Sequence, residues 1–434
     1  MKTHLRRKHL RLLLAAPLGA LLTVTPLPGP LSPPSEAAAG KVGYAGPSTS
    51  GDGPAATAEK AESKLWWNDG FWWASMFHTA SETHHIYRLD RRTQRWRDTG
   101  TVLDPRPKTR ADTLWDGSRL YVASRVRAGS SAEATAGNPA RLFRYSYNRS
   151  TKRYTRDAGF PTQINNYSSE TLTIDRDTKG VLWATWAQGS KIYVNSTLPG
   201  TARWGTPFVI PARGATTVSS DDISAVVTMR DGRIGVMWSN QRESAVYFAL
   251  HNDAAARTKW SVRSTAVKGT GYADDHISLR SLQSGPGGRL FAVVKTSLND
   301  RTSPASAPQI LLLARNPKTG AWTRATVGRI ADCHTQPVLI LDAARQMLHV
   351  FLTAPDRGCP YSGVAGTIFK KSSPMNRIAF PTGRGTPVIR DVASPNLNHV
   401  TSTKQSVSKA SGLVILASND VTQRYWHADV APRP

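Results

Sequence analysis

Six ionisable residues stand at matching places in a repeating sequence: Asp112, Glu170, Asp222, His276, His334 and His399. A ring serving only to hold a fold would draw more on Ser, Thr, Asn or apolar residues. Imidazole titrates near neutrality and serves as base, acid or metal ligand, so the three histidines are the candidate catalytic groups. The carboxylates have an ordinary use as well, since Asp and Glu often bond neighbouring backbone. Segments expected to return to the same face carry His84, His85, Arg125, Arg127, Arg141, Lys191, Arg242, Arg301, Arg357 and Tyr361. Tyr361 follows Cys359 by two residues and would be held by a bridge to Cys333, which makes it a candidate acid beside a histidine. Arg110, Arg125 and Lys404, with Asp112, Glu170 and Asp222, form the candidate substrate-binding set. Three histidines and three carboxylates round one mouth could also hold a divalent cation. Calcium would take the oxygens, zinc the imidazoles.

The elements that must position these groups repeat about every fifty residues, at a spacing typical of radial repeats. Each unit has a polar anchor, an apolar strand, a turn, a second strand rich in Val, Trp or Phe, a variable loop and two further strands. Ser169-Glu170-Thr171-Leu172 leads to 181–187, Asp221-Asp222-Ile223-Ser224 to 234–239, and Asp274-Asp275-His276-Ile277 to 290–296. Asp332-Cys333-His334, Asn398-His399-Val400 and Arg110-Ala111-Asp112-Thr113 open further copies, and Lys64-Leu65-Trp66-Trp67 opens the first. The units span 64–108, 109–166, 167–216, 217–270, 271–329, 330–394 and 395–431. No stretch carries a helical apolar stripe. The reading is an all-β, seven-bladed β-propeller of four-stranded blades, occupying 64–434 as one domain. Trp96, Tyr154, Trp204, Trp260 and Trp322 recur late in their units, where they suit packing between blades. The last unit is one strand short, and a segment near the N-terminus is expected to complete it.

Residues 1–39 read as a secretory signal: five basic residues in the first eleven, an apolar run from Leu12 to Leu22, then prolines and Ala37-Ala38-Ala39. The Arg6-Arg7 pair allows a twin-arginine as well as a Sec route. No later stretch is apolar for long enough to span a bilayer. Residues 40–63, rich in Gly, Ala, Ser, Thr and Pro, read as a flexible lead-in. The net charge of +26 becomes +22 once five Lys/Arg and one Glu leave with residues 1–39. A field of that sign attracts polyanions. Neither a nucleic-acid reader motif nor a basic stripe is present, so an acidic polysaccharide or oligosaccharide is the expected partner of an exported monomer. The two cysteines, Cys333 and Cys359, suggest one disulfide, worth roughly 3 kcal/mol by the loop-entropy account.

The repeats and the Asp274-Asp275-His276 and Asp332-Cys333-His334 segments resemble the sialidase-like, BNR-type propellers. The nearer likeness is to secreted propeller lyases of acidic glycans, the ulvan and rhamnose–glucuronate lyases. The sialidase Asp-box is echoed only by Asp175 to Trp183, between first and second strands, and no early Arg-Ile-Pro motif is present. The resemblance implies β-elimination at a uronic acid. His276 or His334 would take the C5 proton, Tyr361 or another histidine such as His399 would protonate the leaving oxygen, and Arg, Lys or a bound cation would neutralise the carboxylate. One alternative is an exo-acting glycoside hydrolase, sialidase-like or rhamnosidase-like, using a pair from Asp112, Glu170 and Asp222. The other is a non-catalytic glycan-binding propeller with Trp66, Trp67, Trp72 and Trp73 as its platform.

Overall fold

Short apolar strands separated by Gly, Asp and Asn turns pair with their immediate neighbours, because a tight turn returns the chain antiparallel. In the computed structural model, residues 42–57, 60–229, 231–282, 288–356, 358–359 and 365–430 are described. The expected signal segment, Arg357 and Tyr361 lie outside them. The strands form seven antiparallel sheets in a ring, six built from consecutive strands and each of four, with one short extra strand in the second blade. The inner strands are Leu65–Asn68, Thr109–Trp115, Thr173–Arg176, Ser224–Met229, Ile277–Leu282, Thr335–Asp342 and Leu397–Thr401. We number the blades one to seven in that order.

Side chains on the inner strands clip each blade to the next. Asp112 accepts from the Ile174 amide (2.8 Å), Asp175 from Thr228 (2.8 Å) and Ser278 from Leu339 (3.0 Å). Four of the five recurring aromatics pack on the preceding blade, as their spacing predicts. Tyr154 meets Trp66 and Trp73, Trp260 meets Trp183, Trp322 meets Phe248 and Trp96 meets His427, all with ring centroids 5.0–5.8 Å apart. Trp204 packs on the cluster holding Leu114 and Tyr121 of blade two. Trp260→Ala is therefore expected to cost about 3–5 kcal/mol of unfolding free energy. In urea titrations its midpoint should fall with the slope unchanged, whereas Trp204→Ala, at a half-buried site, should cost less.

The seventh blade is closed by Tyr44–Ser48, which pairs with Arg424–Val430 in the register Tyr44↔His427 and Ala45↔Trp426. Gly43 precedes it at φ +81°, where a Cβ would lie 2.8 Å from the His427 carbonyl oxygen. The reading of 40–63 as a loose lead-in is thus corrected. A chain poor in large side chains can still pair through its backbone, which composition does not reveal. Beyond this strand, Thr49 donates its amide to the Gln423 carbonyl, Ala55 donates to Asp420, and the Thr57 hydroxyl meets Ser418.

The disulfide joins Cys333 and Cys359, with Cα atoms 5.6 Å apart. No helix among the described residues is long and apolar enough to cross a membrane. The tryptophans expected as a glycan platform are core instead. Trp66, Trp72 and Trp73 are buried and donate to Tyr154 Oη, the Ser411 carbonyl and the Asn68 carbonyl, while Trp67 is partly buried.

Candidate functional site at the channel mouth

Residues 60–64 hold charge in alternation (Lys60, Glu62, Lys64), and the chain carries them into the channel before Leu65 opens blade one. At the end where the inner strands begin, the Lys60 ammonium sits among three carboxylates from three blades. It lies 2.6 Å from Glu170 Oε1, 2.5 Å from Asp275 Oδ2 and 3.3 Å from Asp221 Oδ1. Behind Asp275, His276 Nδ1 faces Asp275 and lies 3.3 Å from Asp274 Oδ1, and Lys295 Nζ lies 2.7 Å from Asp274 Oδ2. Glu170, Asp274 and His276 are buried, while Asp221 keeps about half of its side chain exposed. Glu170 Oε2 and His276 Nε2 are buried without a hydrogen-bond partner among the described residues.

Burial and these neighbours push the groups in different directions. Burial raises the Glu170 carboxyl to about 7 against the pull of Lys60, and the charges of Asp221 and Asp275 add to the rise. Asp275 is disfavoured by burial, but His276 and Lys60 outweigh that and hold it well below the usual carboxylate range. Its neighbour Asp274 is raised, by burial and by Asp275. Burial works against the His276 imidazolium, yet Asp275 overrides it and raises the group. Neighbouring titratable groups driven apart in this way mark acid–base sites.

The other expected positions go elsewhere. Asp112 is fully buried, deeper along its strand, bonding the Ser63 and Ile174 amides and the Lys404 ammonium. Asp222 caps its own loop through Ser219 and the Gln241 amide. Its neighbour Asp221 reaches the mouth instead, a one-residue offset. His334 Nε2 meets the Arg384 carbonyl at 3.0 Å, and burial lowers its pKa to about 4. His399 lies 3.7 Å from Asp420. Neither contacts the Lys60 cluster through these partners. Arg110 and Arg125, expected to bind substrate, are fully buried and hold the chain's own acids, Asp52 at 2.6 Å and Glu62 at 2.7 Å. The physical reason is that other groups of the chain claim them first, distant ones for Asp112, Arg110 and Arg125 and nearer ones for Asp222, His334 and His399.

Lys404 lines a second space, a cavity of about 430 Å³ at the end of the channel where the inner strands finish. Ala61, Asp175, Arg280 and Thr228 share that lining. Arg280 is buried there, and burial lowers its pKa to about 10.

Lys60, Asp221 and Glu62 escape a reading from repeats because two of them lie in the Gly/Ala-rich segment and one beside the aligned position. The signal that could have found Lys60 and Glu62 is the alternating charge of residues 59–64, in a stretch that otherwise carries only Lys41 and Asp52.

No known protein family matches the sequence, and no curated protein is similar to it. Solved structures are similar in fold. The periplasmic gluconolactonase of Pseudomonas aeruginosa is 13% identical, with a TM-score of 0.52 over 83% of this chain and 96% of that one. The polysaccharide lyase Uly1 is 11% identical, with a TM-score of 0.47 over 86% and 90%. The K499G mutant of NanB sialidase from Streptococcus pneumoniae is 12% identical, with a TM-score of 0.35 over 68% and 48%. At these identities the likeness is one of fold alone.

Proposed function

We propose that the protein is a carbohydrate-active enzyme, a lyase that cleaves acidic glycans at a uronic acid from the Lys60 mouth. The observation behind this reading is the pairing of Glu170, raised to about 7, with a His276 whose imidazolium Asp275 favours. A base poised near neutrality and a cationic acid are the two groups β-elimination requires. Glu170 Oε2 takes the C5 proton, and the departing glycosidic oxygen takes a proton from His276 Nε2. Lys60, central in the mouth, is the cation that a uronate carboxylate meets as charge develops on it. His276 thus keeps a place in the mechanism, and the base moves from histidine to Glu170. The high charge of the chain suits a polyanionic substrate.

The raised Glu170 also suits a hydrolase, where such a carboxyl protonates the leaving group. Product mass separates the two, because hydrolysis adds water and elimination leaves an unsaturated sugar. Purified protein is to be assayed on a panel of uronate-containing polysaccharides, following the ultraviolet absorbance of the unsaturated product. Glu170→Gln and His276→Ala should each lower turnover about 10²- to 10⁴-fold with folding intact. Lys60→Ala should move the lower limb of the pH–rate profile upward, since Lys60 pulls the Glu170 pKa down. Full activity in both the Glu170 and His276 variants would sink the assignment, and a product heavier by one water would replace the lyase with the hydrolase.

A further inference from the structure

A second constellation lies away from the channel mouth, on the outer strands of blade one. His78 ends the strand Phe71–His78, His85 lies in Thr83–Asp90, and Asp98 in Arg95–Asp104. Pairing slips between Ile86 and Tyr87, so that Ile86 faces Thr101 while Tyr87 faces Asp98. An irregularity of this kind re-aims a side chain, and here the partly exposed Asp98 carboxylate reaches His85.

The two imidazoles are stacked, with centroids 4.4 Å apart and planes 19° from parallel. They run in opposite senses. On one edge Ser81 Oγ meets His78 Nδ1 at 2.9 Å and His85 Nε2 at 3.0 Å. On the other edge His85 Nδ1 lies 3.0 Å, and His78 Nε2 3.8 Å, from Asp98 Oδ2. Two ring nitrogens and one carboxylate oxygen therefore lie close together, with all ligand atoms within 4.8 Å of one another. One proton can bridge one such pair. A cation can be shared by all three.

We propose that His78 Nε2, His85 Nδ1 and Asp98 Oδ2 form a zinc site. Metal–ligand bonds near 2.0–2.2 Å put the ligand atoms of a tetrahedral site roughly 3.3 Å apart. The observed separations from Asp98 bracket that value, and re-aiming the stacked rings would bring both nitrogen lone pairs onto the ion. Two imidazoles and one carboxylate suit zinc, whereas calcium takes six to eight oxygens. The outer contacts that orient ligands are in place. Ser81 holds both distal ring nitrogens, and Asp98 Oδ1 accepts from the Gly100 amide at 2.9 Å. His85 is buried, whereas His78 and Asp98 keep about a third of their side chains exposed. The ion would enter from solvent and keep its remaining coordination open to water or to an oxygen of a bound ligand. The Asp274–Asp275–His276 set also converges, but Lys60 and Lys295 already neutralise its carboxylates.

The test is calorimetric titration of the full chain with zinc chloride, alongside His78→Ala and Asp98→Asn, with calcium chloride as the comparison ion. The expected result is one tight zinc per chain, an affinity at least tenfold lower in both variants, and no saturable calcium binding at this site. Cobalt(II) should give a visible absorption band in the wild type that both variants lose. Both substitutions lie at partly exposed positions, and matching urea midpoints with the wild type would exclude misfolding as the cause. Wild-type zinc affinity equal to that of the variants, or no cobalt band in the wild type, would overturn the site.

Discussion

Glu62→Ala is expected to lower the unfolding free energy by about 3–5 kcal/mol, the cost of leaving buried charge unpaired. Glu62 has no solvent-exposed side-chain surface. Its Oε1 lies 2.7 Å from Arg125 Nε and 3.2 Å from the Leu172 amide, and its Oε2 lies 2.9 Å from Lys64 Nζ. Burial works against this carboxylate, but Arg125 and Lys64 hold its pKa down to about 2. The adjacent Ser63 bonds Asp112, Thr113 and Arg280, and the Glu62 carbonyl accepts from Thr401. Residues 60–64 are thus a hub that fastens blades two, three, four, five and seven to the channel axis. Removing the carboxylate strands a guanidinium and an ammonium among apolar walls. Adding Arg125→Met to Glu62→Ala should recover part of the loss, because it removes the stranded guanidinium. Urea midpoints of the two single variants and the double close the cycle. Additive losses would show that the two groups do not act as a pair.

Stability is expected to fall steeply as the pH drops from about 6.5 to about 4. Burial lowers His334, His349 and His427 to about 4 each. In that window the unfolded chain binds protons that the native chain refuses, so the unfolding free energy rises with pH. A displacement from 6.5 to about 4 corresponds to roughly 3 kcal/mol for each histidine at full effect. Glu170 acts in the opposite sense. Its native carboxyl keeps its proton up to about 7 while the unfolded one releases it near 4.5, so its contribution falls with rising pH across that range. The carboxyls of Asp112, Asp175, Asp253 and Asp274, also raised by burial, act with Glu170, and the net slope is expected to stay positive because three histidine displacements oppose them. Urea midpoints measured across the window check it, and His349→Gln should flatten the curve. Midpoints that hold level or rise on acidification would refute it.

The identity of the fold was legible along the chain because a propeller is built from local hairpins. Each blade pairs strands separated by a few residues, so the apolar runs, the turns and the late aromatic at Trp96, Tyr154, Trp204, Trp260 and Trp322 already state the architecture. The bridge from Cys333 to Cys359 was legible for a similar reason, being the only pairing two cysteines allow. The last blade's missing strand was visible as a deficit, and only the tertiary structure decided that Tyr44–Ser48 fills it. That strand is chosen by backbone pairing with a segment some 380 residues away, and side-chain composition says little about it.

The site divides in the same way. The Asp274-Asp275-His276 motif and Glu170 were readable as chemistry, since their residue types and their place before inner strands are properties of one repeat. What they face was decided in three dimensions. Lys60 arrives from outside the repeats, Asp221 replaces Asp222 by a one-residue offset, and Asp112, Arg110 and Arg125 are consumed by partners that a linear reading cannot rank. Local periodicity determines which groups reach the axis of a propeller. Burial and long-range pairing determine which of them keep a titratable atom without a partner, and that is the property on which chemistry depends.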